Sequence, residues 1–206
     1  MTNSPAKTVE LIFDFVSPNA YLIWGPLKEL VHQHGAVLEI TPVFLGGMHK
    51  LTGNAPPFVR DAQVKGKNAY ALLEMNRFIA EHSLDRFKVN PKFPFNSITL
   101  QRLLLAAEAS QRDALVELLL AAIWEDGVDG ADSEAIGSVL KNAGFDAKDM
   151  LARTQDPVVK QQLVDNTENA VKRGVFGIPT MFVSSNGGDE MFFGKERLGQ
   201  IGEMLK

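Results

Sequence analysis

Strand-forming segments occur only at the two ends of this 206-residue chain, and the long stretch between them reads as helix. Val9 to Phe15 (VELIFDF) alternates apolar residues with Glu10 and Asp14, the period of a half-buried strand. After Ser17, apolar residues recur at Tyr21, Trp24, Leu27, Leu30 and Val31, a helical spacing that stops near Gly35. Pro26 falls inside that pattern and should bend or interrupt the helix. Ala36 to Leu45 (AVLEITPVFL) reads as a second strand, so the chain opens β-α-β, with a parallel pair and a right-handed crossover. At the far end, IPTMFVSS and EMFFG are joined by the hairpin signal NGGD, and KERLGQIGEMLK forms a last short helix. The outer segments must therefore meet around the helical block to complete one sheet.

The middle, from about Pro57 to Gly174, carries almost no strand signal. NAYALLEMNRFIAEH is amphipathic, with Ala69, Leu72, Leu73 and Ile79 on one face. SITLQRLLLAAEASQRDALVELLLAAIW is apolar nearly all round in places, which predicts a buried helix or helix pair. DSEAIGSVLKNAG and DAKDMLART are short helices opened by Asp. DPVVKQQLVDNTENAVKRG has Asp as cap, Pro at its first turn and Lys172, Arg173 and Gly174 at its end. GGMHKLTGNAPP, Gly46 to Pro57, reads as a surface loop. Met75, Phe78 and Trp124 are expected in the core.

Several chemistries are excluded or disfavoured by composition. There is no cysteine, which removes disulfides, thiolate metal sites, a protein thiol nucleophile and dithiol redox chemistry. This is compatible with a reducing, cytoplasmic setting. The net charge is -4, and Lys and Arg are scattered, so no grip on nucleic acid is expected. The start of the chain lacks the pattern of a signal peptide, and no apolar run is long enough to span a bilayer. His32 and His34 are two apart and diverge on a helix, so no metal site is expected.

The element order and four motifs carry a resemblance. FDFVSPNAYL, GGMHKLTGNAPP, FGIPTMFV and FFGKERL stand in register along nearly the whole chain. Together they resemble the 2-hydroxychromene-2-carboxylate isomerase family, in the superfamily of kappa-class glutathione transferases and DsbA-like oxidoreductases. The implied fold class is α/β: a thioredoxin-like sheet domain, residues 1–45 and 174–206, with a large all-helical subdomain inserted at 46–173. The implied cofactor is glutathione, and the implied assembly a homodimer.

Ser17 has two readings. It is a good helix N-cap ahead of Pro18. It also stands where thioredoxin-like redox proteins place a reactive cysteine, at a helix start that favours a thiolate. A serine hydroxyl there can donate a hydrogen bond to the thiolate of glutathione. That bond is worth roughly 1.5–3 kcal/mol, or about one to two pKa units. For Ile178–Pro179 the resemblance implies a cis bond, with the Ile178 backbone pairing to the cysteinyl part of glutathione. At Gly194, Lys195, Glu196 and Arg197 it implies backbone N–H groups for the γ-glutamyl carboxylate and an acid for its ammonium group. Family members carry Asp where this chain has Glu196, and a small polar residue where it has Lys195. Asn54 is assigned to glutathione or substrate, and Lys50 and Arg60 to a substrate carboxylate and enolate charge. Phe93 and Phe95 read first as core, but Phe95 is assigned as a shelf for an aromatic substrate.

The implied reaction interconverts 2-hydroxychromene-2-carboxylate and trans-o-hydroxybenzylidenepyruvate in aromatic catabolism. A kappa-like transferase joining glutathione to an electrophile is the first alternative. A thioredoxin-like binding module without catalysis is the second.

Overall fold

The computed structural model describes residues 7–185 and 188–206. Strand β1 (Thr8–Phe13) lies in a four-stranded sheet with β2 (Val37–Pro42), β3 (Thr180–Ser185) and β4 (Gly188–Phe193), in the order β2-β1-β3-β4. β1 and β2 are parallel; β3 runs antiparallel to both β1 and β4. The two ends of the chain therefore meet at the β1–β3 pairing, as the strand signals required. Asn186 and Gly187 of the expected hairpin turn lie outside the described residues, as do the first six.

Helix α1 (Pro18–Gln33) crosses from β1 to β2. Gly35, at φ 62°, closes it, and Ala36 donates back to the Val31 carbonyl. Of the bend or interruption expected at Pro26, the interruption does not occur, and α1 runs through it. Its missing N–H leaves one carbonyl without an intrahelical donor, but Leu22, Ile23 and Leu27 around it are fully buried, and that packing holds the turn.

The expected loop after β2 begins as helix α2 (Leu45–Thr52). The glycine pair that suggests a loop meets a packing need instead. A Cβ on Gly46 would lie 2.8 Å from the Phe44 ring, and one on Gly47 3.1 Å from it. Met48 is fully buried beneath. After α2 come α3 (Pro57–Arg60) and α4 (Lys67–Glu81). Here the amphipathic reading fails, because Leu72 and Leu73 are exposed and Phe78 is the buried residue of α4.

Helices α5 (Ile98–Ala106) and α6 (Arg112–Trp124) are the expected pair. α7 (Ser133–Asn142), α8 (Ala147–Arg153) and α9 (Pro157–Lys172) follow, then α10 (Leu198–Leu205) after a 3-10 turn at Lys195–Arg197. Asp132, Asp146 and Asp156 each accept backbone N–H bonds at the starts of α7, α8 and α9. The apolar core runs without a break from Leu11, Phe13 and Met181 in the sheet to Leu104, Leu119 and Trp124 in the helices. No helix among the described residues is long and apolar enough to cross a membrane.

Candidate active site

The turn between β1 and α1 is fixed by side chains reaching in from the helices. Gln101, fully buried on α5, donates to the carbonyls of Phe13 (2.5 Å) and Val43 (2.6 Å). Trp124, fully buried on α6, donates its indole N–H to the Phe15 carbonyl at 2.9 Å. From within the turn, Asp14 accepts from Val16 N–H at 3.0 Å and from Leu45 N–H at 2.8 Å. Buried backbone polar groups need such partners, and here they come from segments far apart in sequence.

Ser17 ends this turn. It occupies the N-cap position of α1 with extended backbone, yet its side chain accepts no backbone N–H. The hydroxyl instead donates to the Ile178 carbonyl over 3.4 Å, and the residue is 5% exposed. The bond is long, hence weak and readily exchanged for a better acceptor. The Ile178–Pro179 bond is cis. Ile178 N–H has no hydrogen-bond partner among the described residues. The Pro179 carbonyl accepts from Gly194 N–H at 3.0 Å, which brings FFGKERL against the same corner. Ser17, Ile178, Pro179 and Gly194 are thus assembled from three separate stretches of chain.

Asn54 reaches this corner indirectly. Its Nδ2 donates to the Phe176 carbonyl at 2.7 Å, while its Oδ1 accepts from Ala55 N–H and from Arg60. Arg60 is already committed, with two bonds to the Asp61 carboxylate at 2.9 and 3.1 Å. The Arg60 and Lys67 side chains hold the Asp61 carboxyl down at about 2. Lys50, exposed on α2, makes no side-chain hydrogen bond or ion pair among the described residues, so of the two assigned cations it is the uncommitted one.

Lys195 and Glu196 pair with each other. The Lys195 side chain is buried, with its ammonium 5.3 Å from the centre of the Phe78 ring, so it props the 3-10 turn against α4. Burial pushes the Glu196 carboxyl up. The Lys195 ammonium, the residue's own N–H and the Arg197 charge outweigh that and hold it below its usual value. Arg197 faces the Phe193 carbonyl and Gln200.

Phe95 is placed in the core, 6.1 Å from the Trp124 ring and hard against Gly130. That is the core reading of its segment, and it leaves no face for a shelf. Phe93 is the half-exposed member, set edge-on to the exposed ring of Phe58 at 5.7 Å. A second aromatic pair, Phe176 with Phe193 at 4.6 Å, flanks the Pro179 loop. Sequence reasoning missed Asp14, Gln101 and Trp124 as supports of the turn. Only Asp14 gave a signal, a lone acid ending an apolar strand.

A cis-proline corner facing a helix N-terminus, on a sheet with inserted helices, is a DsbA-like arrangement, with Ser17 at the head of the helix. The chain belongs to the DSBA-like thioredoxin domain family, which it matches over residues 8–206. It is 30% identical to a 2-hydroxychromene-2-carboxylate isomerase of Sphingobium xenophagum, over 93% of this chain and 94% of that protein. It is 28% identical to glutathione S-transferase kappa 1 of Rattus norvegicus, over 97% and 91%. Among solved structures, a 2-hydroxychromene-2-carboxylate isomerase superposes with a TM-score of 0.80 at 26% identity, covering 96% of this chain and 94% of that one. The resemblance carried by the four motifs is thereby borne out.

Proposed function

We propose that this chain is a glutathione-dependent isomerase interconverting 2-hydroxychromene-2-carboxylate and trans-o-hydroxybenzylidenepyruvate. One observation carries the reading. In a chain without cysteine, the buried Ser17 hydroxyl at the head of α1 is turned away from capping and toward the Ile178–Pro179 corner. The unpaired Ile178 N–H beside it fits a peptide-like ligand such as glutathione, which needs a backbone acceptor and donor for its cysteinyl unit.

When bound, glutathione would supply a nucleophilic sulfur that can add to a conjugated carbon and leave again. The chain's own residues do the rest. Ser17 and the N-terminus of α1 stabilise negative charge on that sulfur. Ile178 offers its N–H and carbonyl to the peptide. The backbone of the turn from Gly194 through Lys195 to Arg197, with the Glu196 carboxylate, receives the γ-glutamyl end. Lys50 meets the substrate carboxylate and the enolate charge, with Arg60 and Asn54 holding the wall behind it. Phe58 and Phe93 provide the apolar surface first assigned to Phe95. Because the chemistry needs the reduced thiol, we place the protein in the cytoplasm.

A kappa-like transferase is the second reading, supported by the similarity to the rat protein. Product analysis separates the two. With the chromene substrate and glutathione, isomerisation without loss of glutathione supports the isomerase. Stoichiometric consumption of glutathione with a chlorinated nitroaromatic supports the transferase. No glutathione binding at millimolar concentration refutes both. A homodimer accords with the exposed apolar side chains of Val59, Tyr70, Leu72 and Leu73 on α3 and α4. Light scattering giving the mass of one chain would refute that.

A further inference from the structure

Asp14 has no exposure to solvent, and it lies three residues before Ser17. Its Oδ1 accepts from Val16 N–H, the amide preceding Ser17, and its backbone carbonyl accepts from Ser17 N–H at 3.1 Å. Its Oδ2 accepts from Leu45 N–H, the first residue of α2, the helix that carries Lys50 and leads to Asn54. Ser97, fully buried just before α5, sets a hydroxyl near the same carboxylate, and that hydroxyl makes no hydrogen bond of ordinary length among the described residues. One side chain therefore joins both walls of the proposed site.

Among the described residues no charge compensates it. The charged or titratable side chains on the surrounding elements are Glu10 on β1, His49 and Lys50 on α2, Arg102 on α5, and on α1 only Tyr21 before Lys28. None makes a hydrogen bond or ion pair with Asp14. An uncompensated buried anion is costly. This one is retained where two backbone donors converge from two segments.

We propose that Asp14 is a positioning residue for the Ser17 site, acting as the anion that clamps the Ser17 turn to the head of α2. Ionised, it has full acceptor strength on both oxygens. As a neutral acid, one oxygen carries the proton, and one of the two amides loses its charge-assisted bond. The nearby Ser97 hydroxyl, otherwise without a partner among the described residues, can turn to donate to the anion or accept from the acid. Burial raises the Asp14 carboxyl to about 6, against the pull of the Leu45 bond, the Ser97 hydroxyl and the Val16 bond, so the exchange falls near neutrality.

The inference rests on the glutathione site proposed above, and its test separates the two. The probe is ophthalmate, a glutathione analogue with methyl in place of the thiol, whose own groups do not titrate between about pH 5 and pH 8. Calorimetric titration of the full chain should show affinity falling about three- to tenfold as pH drops through about 6. Asp14→Asn should flatten the profile at the weaker level. Ser97→Ala removes the nearby hydroxyl that favours the anion, so it should move the midpoint upward. His49→Asn, a control for the other group titrating nearby, should leave the profile as it was.

A flat wild-type profile, or one that Asp14→Asn preserves, overturns the proposal while leaving the site intact. An unmoved midpoint in Ser97→Ala overturns it even where Asp14→Asn does not fold. If neither ophthalmate nor glutathione binds at any pH, the site reading itself fails and this inference falls with it.

Discussion

Ser17→Ala separates a catalytic hydroxyl from a structural one, because the two roles predict different magnitudes. The structural cost is small. The hydroxyl caps no amide, and its only hydrogen bond among the described residues, to the Ile178 carbonyl, is 3.4 Å long. Its loss should lower unfolding free energy by less than about 1 kcal/mol in a urea titration. The effect on a bound sulfur is larger. A charge-assisted bond worth roughly 1.5–3 kcal/mol corresponds to about one to two pKa units. The thiol of bound glutathione should therefore titrate about one to two units higher in the variant. Turnover at a pH below that value should drop about 10- to 100-fold. Ultraviolet absorbance of the thiolate, followed against pH with the protein saturated, measures the first. A continuous isomerisation assay measures the second. Undiminished turnover, or an unshifted thiol, refutes the reasoning. So does a fall in turnover matched by a collapse in stability, which would make Ser17 a structural residue.

Gln101→Leu removes two bonds to buried carbonyls but also an amide oxygen that has no partner, so urea unfolding should show a net loss of about 1–3 kcal/mol. In Gly130→Ala the new methyl would lie 2.5 Å from the Phe95 ring and 3.1 Å from Leu100. Overpacking should cost about 1–3 kcal/mol, and an unchanged denaturation midpoint would show that this core yields. Lys195→Met lets the Glu196 carboxyl rise toward its usual value and leaves it unmasked at neutral pH. Glutathione should then bind about two- to fivefold tighter by calorimetry, and weaker binding would place Lys195 itself on the ligand. The folded chain holds the Asp14 proton up to about pH 6, whereas the unfolded chain releases it near 3.8. Stability should therefore rise by about 3 kcal/mol as pH falls across that window, and a urea series on Asp14→Asn should lack this contribution.

The sheet could be read from the chain because strand signals were confined to its ends, so the two ends had to meet; the order β2-β1-β3-β4 was not read from the sequence. The three Asp caps of α7, α8 and α9 were equally legible, since capping is a local property of one residue and the two amides after it. Two errors came from judging by local composition. Gly46 and Gly47 suggested a loop, whereas the Phe44 ring packed on them requires their smallness within a helix. Leu72 and Leu73 suggested a buried face, but the burial of α4 is decided by what lies beneath Phe78 at its other end. The corner formed by Ser17, Ile178 and Gly194 was foreseen through resemblance. The side chains that hold it were not, because nothing in a periodic pattern says that Gln101 and Trp124 end beside residues about 90 to 110 positions earlier.

The donors from α5 and α6 also bear on how far this molecule could be miniaturised. Excising the helices to leave a bare sheet with α1 and α10 would remove the side-chain donors to the carbonyls of Phe15 and Val43 and leave Phe13 only its bond from Val43 N–H. Such a trimmed scaffold could retain its strand pairing and still lose the shape of the loop that presents residue 17. In this architecture the appended helices are the mould in which the cis-proline corner is cast.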